Sequence, residues 1–73
     1  MAAEDFQFAS TNIDRGSYDP ETRVMTLTFL RTFDTYEYQG VPPEAWNALK
    51  GALSPGRLFA TEIKGRYPET WIG

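Results

Sequence analysis

The sequence predicts an α+β fold: a three-stranded antiparallel β-sheet (meander) packed against two short C-terminal helices, in the order βββαα. Three observations carry this reading. Between Ile13 and Gln39 the side chains alternate with a period of two. After Val41-Pro42-Pro43 the apolar spacing lengthens to steps of three and four. Turn-forming residues stand where the pattern breaks, at Asp19-Pro20 and Ser54-Pro55-Gly56.

The first strand covers Ile13 to Tyr18. The following Asp19-Pro20-Glu21-Thr22 is turn chemistry, because proline presets φ at the second turn position. In the second strand Met25, Leu27 and Phe29 point one way, and Val24, Thr26 and Thr28 the other. The connection near Leu30–Asp34 is short and demands a tight antiparallel reversal. The third strand, Phe33 to Gln39, places Tyr36 and Tyr38 on one face with Asp34, and Thr35 and Glu37 on the other.

Ala45, Trp46, Leu49, Ala52 and Leu53 form one face of the first helix, with proline in its first turn and Gly51 weakening its end. The second helix starts at Ser54-Pro55-Gly56, Ser54 serving as N-cap. Phe59, Ile63 and Tyr67 follow at steps of four, and Gly65 and Pro68 stop the helix. The expected core holds Ile13, Leu27, Phe29, Leu49, Phe59 and Ile63. The expected organisation is one domain over residues 1–73, with flexible tails at residues 1–8 and 69–73.

Seventy-three residues give a folded surface of roughly 4,600 Å² and only a thin stability margin. There is no Cys and no His. This removes disulfides, His-based triads and the usual thiol or imidazole metal sites. No apolar run approaches the ~20 residues of a membrane helix, and Met1-Ala2-Ala3-Glu4-Asp5 lacks signal-peptide character. A monomeric cytoplasmic protein without a cofactor or a membrane partner is the expectation. No carboxylate pair is marked by spacing or by an apolar setting, and Ser10, Ser17 and Ser54 lack a histidine. The chain is therefore expected not to be an enzyme.

Charge suggests partner-binding residues instead. The net charge is −3, with acids concentrated in residues 1–44 and basic residues outnumbering acids in 45–73. Scatter over a solvated surface accounts for such a pattern, and so does a molecule with an acidic sheet side and a basic helical side. On the acidic side the candidates are Asp19, Glu21 and Glu37. On the basic side they are Arg57, Lys64 and Arg66, with Lys50 as a neighbour. Seven residues separate Arg57 from Lys64, which puts them on one face of a regular helix. Ser54-Pro55-Gly56-Arg57 reads as an ordinary capped helix start before it reads as an anion site. Tyr36 and Tyr38 suit either a core or a stacking platform for bases, and core is the simpler use. Trp46 fits the core, which leaves Trp71 as the freer interface anchor.

These residues resemble the KTSC domain, a small family named for its occurrence at the carboxyl end of some lysyl-tRNA synthetases. It also stands alone in bacterial and phage proteins. The resemblance rests on Ser10-x-x-Ile13, Tyr18, Leu27-x-Phe29, Tyr36-x-Tyr38, Val41-Pro42 and Leu49. It continues through Ala52-x-Ser54-x-Gly56-x-x-Phe59 and Ile63-Lys64-x-x-Tyr67-Pro68, so that residues 10–68 are covered. One departure stands out. The family usually has a glycine in the turn before Tyr-x-Tyr, where this chain reads Leu30-Arg31-Thr32-Phe33-Asp34. The synthetase association implies RNA binding.

In size and type the chain also resembles small phage transcription regulators that bind host RNA polymerase. That resemblance implies a protein that binds bacterial RNA polymerase and inhibits transcription initiation. An acidic surface favours a basic protein surface over nucleic acid. The alternative is a module that binds RNA or single-stranded nucleic acid through the tyrosines and the basic cluster.

Overall fold

Five strands, rather than three, build one antiparallel sheet in sequential order, and the two additional ones are its edges. The computed structural model describes residues 3–73. The strands are β1 (Glu4–Gln7), β2 (Ile13–Asp19), β3 (Val24–Phe29), β4 (Thr35–Tyr38) and β5 (Glu69–Trp71). Helix α1 (Pro43–Gly51) follows β4, and α2 (Pro55–Leu58) runs directly into a π-helical turn, Phe59–Ile63. The central meander β2–β3–β4 is the one expected. The edges were missed because β1 and β5 are short, and both lie in segments read as tails.

Register explains which side chains the helices cover. Two rows cross the sheet from β1 to β5 on the helix side. The first is Glu4, Tyr18, Met25, Tyr38 and Glu69; the second is Phe6, Gly16, Leu27, Tyr36 and Trp71. Aromatic and aliphatic side chains fill their middles, and both rows end in exposed residues of β5. Gly16 is needed where it stands. A Cβ there would lie 2.7 Å from Leu27 Cδ2 and 3.1 Å from the Thr26 carbonyl oxygen, closer than side chains pack.

Of the expected core, Ile13, Leu27, Leu49, Phe59 and Ile63 are buried, and Phe29 packs against them half-buried. Phe8, Tyr18, Met25, Tyr38, Val41 and Trp46 complete the core. Leu53 is the exception on the first helical face. The helix ends before it, with Ala52 already extended, and Leu53 is fully exposed.

The turns follow sequence chemistry. Asp19 Oδ1 accepts the Glu21 amide at 2.9 Å, closing the β2–β3 reversal as an Asx turn. Between β3 and β4, Phe33 takes φ +58°, the left-handed conformation that a glycine adopts freely. The hairpin keeps the Tyr-x-Tyr register without that glycine, at the cost of strain in Phe33. Pro43 opens α1 as expected, whereas the Ser54 side chain makes no capping hydrogen bond at α2.

Candidate functional site

The helix-free face of the sheet carries two rows of short polar side chains. One row is Asp5, Ser17, Thr26, Glu37 and Thr70. The other is Gln7, Arg15, Thr28 and Thr35, extended by Ile72, whose amide donates to the Thr35 carbonyl at 2.8 Å. The Thr28 and Thr35 hydroxyls share a hydrogen bond of 2.9 Å. This surface arises because the alternation that turns Leu27 and Tyr36 toward the helices turns the threonines to the other face, where Thr28 is itself buried. Its charged members are Asp5, Glu37 and Arg15, and Asp19 stands one row further along, opposite Val24.

Of the acidic candidates, Glu37 sits within this face, flanked by Thr26 and Thr70. Asp19 and Glu21 lie at its end, where Asp19 is also the turn cap. Three other acids accept hydrogen bonds from aromatic side chains of the same chain. Glu4 accepts from Trp46 Nε1 at 3.1 Å, Glu69 from the Tyr38 hydroxyl at 2.9 Å, and Asp34 from Trp71 Nε1 at 3.1 Å. Glu4 also pairs with Lys50, whose ammonium stands 5.5 Å from the Trp46 ring. These hydrogen bonds, first Lys50 and then Trp46, hold the Glu4 carboxyl below its ordinary pKa. Burial pushes the Tyr38 phenol above its ordinary range, and the Glu69 carboxylate adds to this. Tyr38 is therefore a neutral donor.

The basic candidates divide. In the π-helical turn the Lys64 amide donates to the Phe59 carbonyl at 2.9 Å, an i→i+5 bond. This widens the turn, so a seven-residue spacing no longer means one face. Lys64 borders a cleft with Phe29, Tyr38 and Phe59, whereas Arg66 borders a groove between α1 and the π-helical turn. Arg57 is exposed on α2 and borders neither. Lys50 is engaged by Glu4.

Both tyrosines face the helix side. Tyr38 is buried in the core beneath Phe59, with ring centroids 5.6 Å apart, and Tyr36 is half-buried between Phe29 and Trp71. Tyr38 is thus closed to a stacked base. Trp46 is buried and Trp71 is 62% exposed, as their positions suggested. The cleft also takes in Arg31 and Glu69, neither of which was a candidate. Arg31 lies in a turn with no periodicity to mark it. Glu69 lies in a three-residue strand that is exposed throughout, with too little alternation to mark it.

The KTSC domain family model matches residues 9–67. The crystal structure of a KTSC domain protein from Yersinia pestis superposes with a TM-score of 0.91. That protein is 35% identical, and the match covers 99% of this chain and 100% of that one. A protein of Tsukamurella paurometabola is 36% identical over 58 residues, 80% of this chain and 85% of its own length. A protein of Stutzerimonas stutzeri is 34% identical over 62 residues, 85% of this chain and 86% of its own.

Proposed function

The chain belongs to the KTSC domain family, and from that premise we propose that it is a non-enzymatic protein-binding module. It docks a basic protein surface on its helix-free sheet face. The observation that carries this reading is the composition of that face. Two rows of short polar residues present Asp5 and Glu37, with Asp19 and Glu21 at the rim, against Arg15. Complementary charge of this kind speeds association and selects partners. A standard interface takes ~800 Å² from each partner, well within the 4607 Å² of accessible surface.

Bacterial RNA polymerase is the partner that the resemblance to phage regulators suggests, and blocked initiation is the activity that would follow. Binding to nucleic acid is the competing reading, favoured by the placement of Lys64 and Arg31 beside aromatic rings. The test is binding of purified polymerase to immobilised protein without DNA, alongside promoter-dependent RNA synthesis. Charge reversal at Glu21 and Glu37, with the turn cap Asp19 kept, should slow association and flatten its salt dependence, with the circular-dichroism spectrum unchanged. Reversal at Arg57, Lys64 and Arg66 should do less. Absence of binding at micromolar protein removes polymerase as the partner. Sensitivity to the basic-side changes alone, with capture of RNA, makes nucleic acid the ligand.

A further inference from the structure

On the opposite, helix-covered side, the cleft beside β5 combines apolar walls with charges of both signs. Its volume is about 260 Å³, just below the ~300–1,000 Å³ usual for small-molecule sites. Such a space suits one ring and its polar head. The walls are aromatic: the Phe29 and Phe59 rings meet edge-on at 5.2 Å, and Tyr38 lies behind Phe59. At the rim stand two cations, Arg31 from the β3–β4 turn and Lys64 from the end of the π-helical turn. Neither side chain has an ion pair or hydrogen bond among the described residues. Glu69 faces them from β5. Its Oε1 takes the Tyr38 hydroxyl, and its second oxygen keeps its lone pairs.

The π-helical turn supports a binding role. Such turns are uncommon and recur at functional sites. Here the wide i→i+5 closure sets Phe59 in the wall and delivers Lys64 to the rim of the same cleft. Charge then narrows the ligand class. A simple anion would suit Arg31 and Lys64 but face Glu69, and a simple cation would meet the reverse. A neutral apolar molecule would leave all three charges unanswered. A ligand with an aromatic body, one carboxylate and one ammonium answers every group that the cleft presents.

We propose that this cleft binds a free aromatic α-amino acid as its zwitterion. The ring packs against Phe29 and Phe59, the carboxylate meets Arg31 and Lys64, and the ammonium meets the second oxygen of Glu69. The site is independent of the docking face, so either reading can fail without the other.

Titration of the isotopically labelled protein with L-phenylalanine, followed by amide NMR shifts, tests it. Saturable shifts at Arg31, Phe59 and Lys64 are expected, with a Kd of about a millimolar for a ligand this small. N-acetyl-L-phenylalanine lacks the ammonium and L-phenylalaninamide lacks the carboxylate. Each should bind about tenfold more weakly, the loss of one charged contact. Glu69→Gln keeps an acceptor for Tyr38 and removes the charge; it should weaken phenylalanine about tenfold and leave the N-acetyl compound unaffected. Lys64→Gln should show the mirror pattern with the amide, and Glu62→Gln, outside the cleft, should change nothing. All three positions are exposed, so folding is not at stake. Absence of shifts at tens of millimolar overturns the proposal. Binding of both blocked analogues as tight as that of phenylalanine also overturns it, as does tighter binding of AMP than of phenylalanine.

Discussion

The two edges of the sheet end the same row of side chains with the same residue type and treat it differently. On β1, Glu4 reaches across to α1 and holds Trp46 and Lys50. Phe6, Phe8 and Tyr18 crowd the same indole, with ring centroids 6.4, 6.0 and 5.7 Å away. On β5, Glu69 holds, among the described residues, the hydroxyl of Tyr38 in the neighbouring strand. Trp71 lies largely in solvent, tied to Asp34, and Phe33 and Ile72 are exposed beside that end of the sheet. One edge is therefore pinned to the core, while the other borders the cleft and keeps large side chains at the surface. An edge that spends its aromatic residues on packing leaves none for a partner.

The strongest way to break this comparison is to remove the tryptophan at each side, Trp46 of α1 beside β1 and Trp71 of β5. Trp46→Ala should cost about 3–5 kcal/mol, the range for deleting a large buried ring. In a 73-residue chain that approaches the whole stability, and urea melts should show a partly unfolded population at 25 °C. Trp71→Ala should stay within about 0.5 kcal/mol, as exposed substitutions do. Similar losses for the two would mean that β5 is as firmly anchored as β1.

This contrast bears on what the sequence reveals. The middle of the sheet was legible because Ile13–Tyr18, Val24–Phe29 and Tyr36–Tyr38 are half-buried, and alternation records half-burial. The edges bury one face only in part. In β1 the sole apolar position is Phe6, and β5 is exposed at all three residues. Too little period-two signal remains to separate them from tails. The second helix failed differently. Phe59 and Ile63 are spaced as in an α-helix and are buried as expected, but the turn between them closes at i+5. Composition does not encode that extra residue, and with it the predicted grouping of Arg57 with Lys64 is lost. Acid counting alone also does not show that Glu4, Asp34 and Glu69 accept hydrogen bonds from aromatic donors.

The second prediction sharpens the β5 side. Phe33 holds φ +58° while 65% exposed, so its backbone strain is not offset by burial. Left-handed backbone costs an ordinary residue about 1–2 kcal/mol, and glycine escapes this while losing some entropy on folding. Phe33→Gly should therefore stabilise the protein by up to about 1 kcal/mol. That corresponds to a rise of roughly 4–8 °C in Tm at most for a domain of this size. A fall in Tm would mean that Phe33 packs on the Trp71 corner and that the β5 edge is more closely held than its exposure suggests.

The smallest effect tests the β1 side through pH. Glu4 has a folded pKa below its ordinary value of 4.5 because Lys50 and Trp46 both donate to the charged carboxylate. A lowered carboxyl pKa contributes stability that is fully present above the unfolded value and is lost as pH falls through the folded one. The pH window therefore lies at and below the ordinary glutamate range, and neutral solution leaves the latch intact. Glu4→Gln removes the charge while keeping an acceptor for the indole. At pH 7 its Tm should lie below that of the parent by a few degrees at most, since the side chain is half exposed and the pair is screened. Added salt should shrink the gap. As pH falls through the lowered folded pKa, below the ordinary 4.5, the parent carboxyl protonates and the two melting curves should draw together. A gap that stays constant from pH 7 to pH 3 would show that the carboxylate charge does not hold β1, leaving Phe6 and Phe8 packed around Trp46 as its anchor.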